Sequence, residues 1–141
     1  MRRQQPCCDA GSVSLRCLIV DDNTRFLAAA RSTLSRDGIE VVGTATTPSR
    51  ALQQTEKLRP DVVLVDIGLG EDSGFDLVRQ LVEAFPQLGS GIVLISTRSE
   101  DDYADLIAAS PAVGFIAKSH LSVRAVRELF PPTDSERLRE T

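Results

Sequence analysis

The chain of 141 residues is 42% hydrophobic and carries 16 lysines and arginines against 20 aspartates and glutamates, for a formal net charge of −4. That length suits one ordinary domain with a buried core and leaves no room for a second. Mild acidity without a basic stripe gives no support for direct binding to nucleic acid or an anionic membrane. The longest apolar runs, 62–65 and 91–95, fall far short of the roughly 20 residues that cross a bilayer, and no signal-peptide region opens the chain, so a cytoplasmic protein is expected.

Residues 1–14 are rich in Gln, Pro, Gly and Ser and have no face to bury, which predicts a flexible arm. It holds Cys7 and Cys8; with Cys17 these make three cysteines, and reduced thiols are expected. A metal or redox role for the adjacent pair lacks a further Cys or His at ligand spacing, the only histidine being His120. Cys17 reads as a small core residue.

From Leu15 onward, short apolar runs alternate with amphipathic stretches: strands over 15–20, 40–44, 62–65, 92–95 and 113–117, each followed by a helix, over 24–36, 48–58, 75–85, 102–109 and 122–130. The central runs CLIV, VVLV and IVLI are apolar at every position, as strands covered by helices on both faces of a parallel sheet require. Gly38 closes the first helix, Pro48 and Ser49 open the second, Pro60 stops it, and Pro86 with Gly89 separates the third from the fourth strand. The prediction is an α/β domain over 15–130 followed by a short polar tail over 131–141.

Ligands of an open parallel α/β sheet bind beyond the carboxyl ends of its strands, near the reversal of winding. Strand one ends in Asp21-Asp22, strand three in Asp66, strand four in Ser96-Thr97 and strand five in Lys118. Three carboxylates at one edge repel one another unless a cation neutralises them or one is protonated near neutral pH. The oxygen donors suit Mg²⁺, and a metal with one ammonium suits charge on a transferring phosphoryl group, with Ser96 supplying a further hydrogen bond. Each residue alone has a plainer reading: Asp22 or Asn23 as a helix cap, Asp66 as a loop acid, Ser96 as a strand-end hydroxyl and Lys118 as a solvated cation. Their combination at four strand ends is what capping and solvation explain poorly.

The motifs LIVDDN, VLVDIGL with Asp66 44 residues after Asp22, LIS with Ser96 30 further on, and GFIAKS with Lys118 22 beyond that resemble the receiver domains of two-component response regulators, the single-domain chemotaxis regulator in particular. The resemblance spans Leu15 to about Phe130. It implies a flavodoxin-like, doubly wound, five-stranded parallel sheet in the order 2-1-3-4-5. It implies that Asp66 is the phosphoacceptor, that Asp22, Asp66 and the Gly68 backbone carbonyl are Mg²⁺ ligands, and that Asp21 holds the metal through water. Lys118 stands where the family has its phosphate lysine, Ser96 where it has a switch hydroxyl and Phe115 where it has a switch aromatic. The implied chemistry is attack of Asp66 on the phosphohistidine of a sensor histidine kinase or a histidine phosphotransfer protein, the chain turning over no separate substrate. The implied output is an unidentified protein that meets the helix over 102–109, strand five and the helix over 122–130, with a phosphorylation-dependent homodimer left open.

Gly70 replaces the family's usual proline four residues after the phosphoacceptor, which predicts a more flexible loop, and Thr97 replaces the usual small residue after Ser96, putting transfer and dephosphorylation rates in question. The alternative is a receiver-like protein-binding module that works without phosphorylation. A haloacid-dehalogenase-like phosphatase would need an Asp where Gly68 stands, and a flavodoxin-like cofactor protein would need a phosphate loop where Asp22-Asn23 stands.

Overall fold

The computed structural model describes residues 15–36, 38–69, 72–86, 91–97 and 100–129. The expected arm over 1–14 with Cys7 and Cys8, the tail over 131–141, and Gly70 lie outside the described residues. Five strands, β1 (Arg16–Val20), β2 (Glu40–Ala45), β3 (Val62–Asp66), β4 (Ile92–Ser96) and β5 (Gly114–Ala117), form one sheet in the order β2-β1-β3-β4-β5, all pairs parallel. This is the expected 2-1-3-4-5 order, and winding reverses between β1 and β3.

Burial follows the alternation of side chains along each strand. On one face, Leu18, Val20, Val63, Val65, Ile92 and Leu94 pack with Phe75, Leu77, Val78 and Leu81 of α3 (Gly74–Ala84), Ala51 of α2 (Pro48–Leu58), and Ile107 of α4 (Ala104–Ala109). On the other, Cys17, Ile19, Leu64, Val93 and Ile95 meet Leu27, Ala30 and Leu34 of α1 (Thr24–Arg36) and Val123 and Val126 of α5 (Val123–Glu128). Both faces of β3 and β4 are covered, so these strands are apolar at nearly every position. Burial pushes the Cys17 thiol up to about 12, which leaves it an unreactive core residue.

Local chemistry sets the helix ends. Asn23 caps α1, its Oδ1 accepting from the N–H groups of Arg25 and Phe26 at 3.0 and 3.1 Å. Thr47, rather than Ser49, caps α2, with Pro48 in the first turn, and Arg59 ends that helix in the left-handed conformation. Gly38 has φ +109°, a region a side chain disfavours, and turns the chain from α1 into β2.

Two expectations about helix extent are corrected. The fourth helix is shorter than 102–109: residues Glu100–Tyr103 form a 3₁₀ turn, and the six-residue α4 has no fully buried side chain to extend it. The last helix spans six residues in place of nine, capped by the Ser122 hydroxyl accepting from the Ala125 N–H, and a 3₁₀ turn at Lys118–His120 precedes it. The glycine-rich stretch after β3 contains a small antiparallel ladder pairing Gly68 with Ser73 and Leu69 with Asp72, so its flanks are tied together.

Candidate functional site

The carboxyl ends of β1, β3, β4 and β5 converge where the winding reverses. β1 delivers Asp21, fully buried, whose Oδ1 accepts from the Asn23 N–H at 2.8 Å. That bond ties the acidic turn to the α1 cap and leaves Asp22, the exposed residue between them, pointed from the same turn. β3 ends in Asp66, 6% exposed, whose Oδ1 accepts from the Gly68 N–H at 3.2 Å. One oxygen from each of Asp21, Asp22 and Asp66 lies within 4.8 Å of the others.

Lys118, just past β5, reaches into this cluster. Its Nζ lies 2.5 Å from Asp21 Oδ2 and 3.4 Å from Asp66 Oδ2. The Asp21 contact is an ion pair, and among the described residues this buried oxygen has no hydrogen bond besides it. The Phe26 ring of α1 lies under the same ammonium, 4.6 Å from centroid to Nζ. Burial pushes the Asp66 carboxyl up to about 6, and the Asp21 charge adds to the rise, while the Lys118 ammonium and the Gly68 N–H oppose it.

The observed pocket offers carboxylate oxygens from two strands, one of them buried with only the ammonium beside it among the described residues, on either side of that ammonium. An all-oxygen donor set of this compactness fits a hard divalent cation such as Mg²⁺. The local backbone is built around Asp66: α3 begins at Gly74, whose N–H donates to the Ile67 carbonyl at 2.8 Å, and a Cβ at position 74 would run into the Asp66 carbonyl oxygen and come 2.8 Å from the Ile67 Cα. The Ser73 hydroxyl caps this helix by accepting from the Phe75 N–H.

Of the residues singled out from sequence, Asp21, Asp22, Asp66 and Lys118 meet directly. Ser96, buried, stands at the end of β4, one residue beyond the Ile95 that pairs with Asp66. Phe115 lies farther from the edge: it pairs with Leu94, while Ala117 pairs with Ser96, so Ser96 and Phe115 share one sheet face, two residues apart along the strands. Phe115 is half-buried against the Phe75 cluster and lines a groove of ≈ 420 Å³ with Ile116, His120, Ala125 and Leu129. Thr97 is exposed. Sequence reasoning missed Phe26 and Tyr103. The first was signalled only as an aromatic in the first turn of the helix that follows Asp21-Asp22; Tyr103, whose ring centroid lies 6.1 Å from that of Phe75, gave no comparable signal.

Residues 17–128 match the family model for the response regulator receiver domain. Among curated proteins, the DNA-binding transcriptional activator EvgA of Escherichia coli K12 is 28% identical over 104 residues, covering 74% of this chain and 50% of EvgA. The chain spans about half the length of this relative. Among solved structures, the CheY-like receiver domain protein of Methanospirillum hungatei superposes with a TM-score of 0.68 at 25% identity, covering 91% of this chain and 96% of that one. A Burkholderia pseudomallei response regulator, solved with a phosphorylated aspartic acid and a calcium ion, gives 0.71 at 24% identity over 90% of this chain and 72% of that one. Among the described residues no helix is long and apolar enough to cross a membrane.

Proposed function

The chain belongs to the response regulator receiver domain family, and from that membership and the acidic pocket we propose that Asp66 accepts a phosphoryl group, assisted by Mg²⁺. The observation that carries this reading is Lys118 Nζ standing between Asp21 and Asp66, with Asp22 completing the carboxylate cluster. Asp22, Asp66 and the Gly68 carbonyl would hold Mg²⁺ directly and Asp21 through water; when bound, the ion supplies neutralisation of the carboxylates and of charge on the phosphoryl oxygens.

The chain's own groups account for the rest. An ionised Asp66 oxygen attacks phosphorus, the P–N bond of a phosphohistidine breaks, and the imidazole leaves with the bonding pair and takes up a proton. Lys118 turns from Asp66 to a phosphoryl oxygen, trading one anion for another at little cost in reorganisation. The Gly68 N–H holds the second Asp66 oxygen in place, and the Gly74 contact fixes the backbone from which Asp66 projects. The Ser96 hydroxyl donates to a phosphoryl oxygen. Because Ser96 and Phe115 share a face, drawing Ser96 toward the edge changes the space available to Phe115, and the surface of α4, β5 and α5 becomes the output face.

The donor is a sensor histidine kinase or a histidine phosphotransfer protein, and the receiver turns over no separate substrate. The output partner is a protein. The test is incubation with acetyl phosphate, with and without Mg²⁺, read by intact mass and Phos-tag gel. A Mg²⁺-dependent gain of one phosphoryl group, lost in Asp66→Asn, is expected. A folded wild type that binds Mg²⁺ yet gains no mass from acetyl phosphate or a panel of histidine kinases would favour the module that acts without phosphorylation.

A further inference from the structure

We infer that Phe26 is a positioning residue for the phosphoryl-transfer pocket: its ring holds the Lys118 ammonium at the mouth between Asp21 and Asp66. The inference rests on Asp66 being the phosphoacceptor. Lys118 must leave water to reach the carboxylates; its side chain is only 11% exposed. Two anions take up part of the lost hydration, and the Phe26 face, 4.6 Å from Nζ, borders the ammonium from α1.

The ring has properties a fourth carboxylate there would lack. It is neutral, so it adds no negative charge to a pocket that already holds three acids. It is attractive without fixed donor and acceptor directions, so Nζ can swing from the 2.5 Å contact with Asp21 toward an arriving phosphoryl oxygen while remaining over the face. α1 holds the ring in place: Asn23 caps the first turn through the Phe26 N–H itself, and the half-buried ring packs against the cluster containing Ile19, Leu27 and Val123. The backbone N–H of Asn23 in turn donates to Asp21 Oδ1, so ring and carboxylate are positioned by one turn.

Two variants separate this role from simple packing. Phe26→Leu keeps an apolar side chain and loses the π face, whereas Phe26→Tyr keeps the face. In the wild type, ring-current shielding moves the Lys118 Hε signals upfield in the NMR spectrum; the shift is expected to vanish in Phe26→Leu and persist in Phe26→Tyr. Initial rates of phosphorylation by acetyl phosphate with Mg²⁺ should fall about fivefold in Phe26→Leu and recover in Phe26→Tyr. In a Lys118→Ala background, Phe26→Leu should have no further effect on rate. Equal rates for Phe26→Leu and wild type, or a Phe26→Leu loss that persists without Lys118, would overturn the positioning role. A wild type that is not phosphorylated at all would overturn the Asp66 reading and this role with it, an outcome distinct from equal rates in phosphorylated proteins.

Discussion

Lys118 is held closer to Asp21 than to Asp66, 2.5 Å against 3.4 Å, so the ammonium sits nearer the fully buried carboxylate, whose Oδ2 has no hydrogen bond besides this ion pair among the described residues. Its first task is therefore to neutralise a charge that folding has stripped of water. Removing one partner of such a pair leaves the other uncompensated, which costs more than the pair was worth. Lys118→Met should lose about 3 kcal/mol in urea denaturation without divalent metal, and Mg²⁺ should restore part of it by supplying positive charge to the same carboxylates. Phosphorylation by acetyl phosphate should slow roughly 100-fold. A variant as stable as the wild type in metal-free buffer would show that Asp21 does not depend on the ammonium.

The Asp66 carboxyl ionises at about 6 in the folded chain, against an ordinary value of 3.8. The folded state thus holds its proton more tightly than the unfolded state. The stability this lends is fully present below about pH 4 and is lost as pH rises through 6, where the buried carboxylate ionises beside Asp21. Asp66→Asn escapes the penalty, so in metal-free buffer it should be about 2 kcal/mol more stable than the wild type at pH 8 and equal to it near pH 4. Denaturation curves across that range, with and without Mg²⁺, read this directly. An advantage independent of pH would place its origin in packing and not in charge.

Gly74 is placed by crowding. A side chain there would meet the Asp66 carbonyl oxygen and the Ile67 Cα, both backbone atoms that cannot swing aside as a flexible side chain would. Gly74→Ala should cost about 2–3 kcal/mol and slow phosphorylation as well, because the displaced backbone is the one that carries Asp66. Thermal melts with initial phosphorylation rates check both; a melting loss with an unchanged rate would mean that α3 absorbs the strain away from the pocket.

The parallel sheet and the acidic edge were legible in sequence because both follow from strong, local signals, uninterrupted apolar runs for β3 and β4 and charged residues at the ends of β1, β3 and β5, whereas the strand order came only from the resemblance of the motifs to receiver domains. What escaped depends on contacts between distant segments. Nothing local to residues 102–109 shows that α4 finds no deep groove to bury into, and so begins only at Ala104. Likewise, the Phe26 ring gains its meaning only from Lys118, 92 positions later in the chain. Pro48 and Ser49 are the conspicuous start signals of α2, yet its cap is Thr47, whose Oγ1 accepts from the Arg50 N–H at 3.2 Å.

Tyr103 is the chain's single tyrosine and there is no tryptophan, so tyrosine emission reports on one place in the fold. Its ring lies 6.1 Å from that of Phe75 at an interplanar angle of 56°, and Phe75 follows directly on the glycine that abuts the Asp66 backbone. A change at Asp66 therefore has a short mechanical route through the start of α3 to the turn that precedes α4. Phosphorylation by acetyl phosphate with Mg²⁺ should alter Tyr103 emission in the wild type and leave it unaltered in Asp66→Asn. Phe75→Leu should still become phosphorylated while losing most of the change, since the leucine cannot reproduce the tilted ring contact. Ser96→Ala separates the two routes out of the pocket: if the signal reaches Tyr103 through α3, the emission change survives loss of the Ser96 hydroxyl, and if it travels by β4 and Phe115, the change disappears with it.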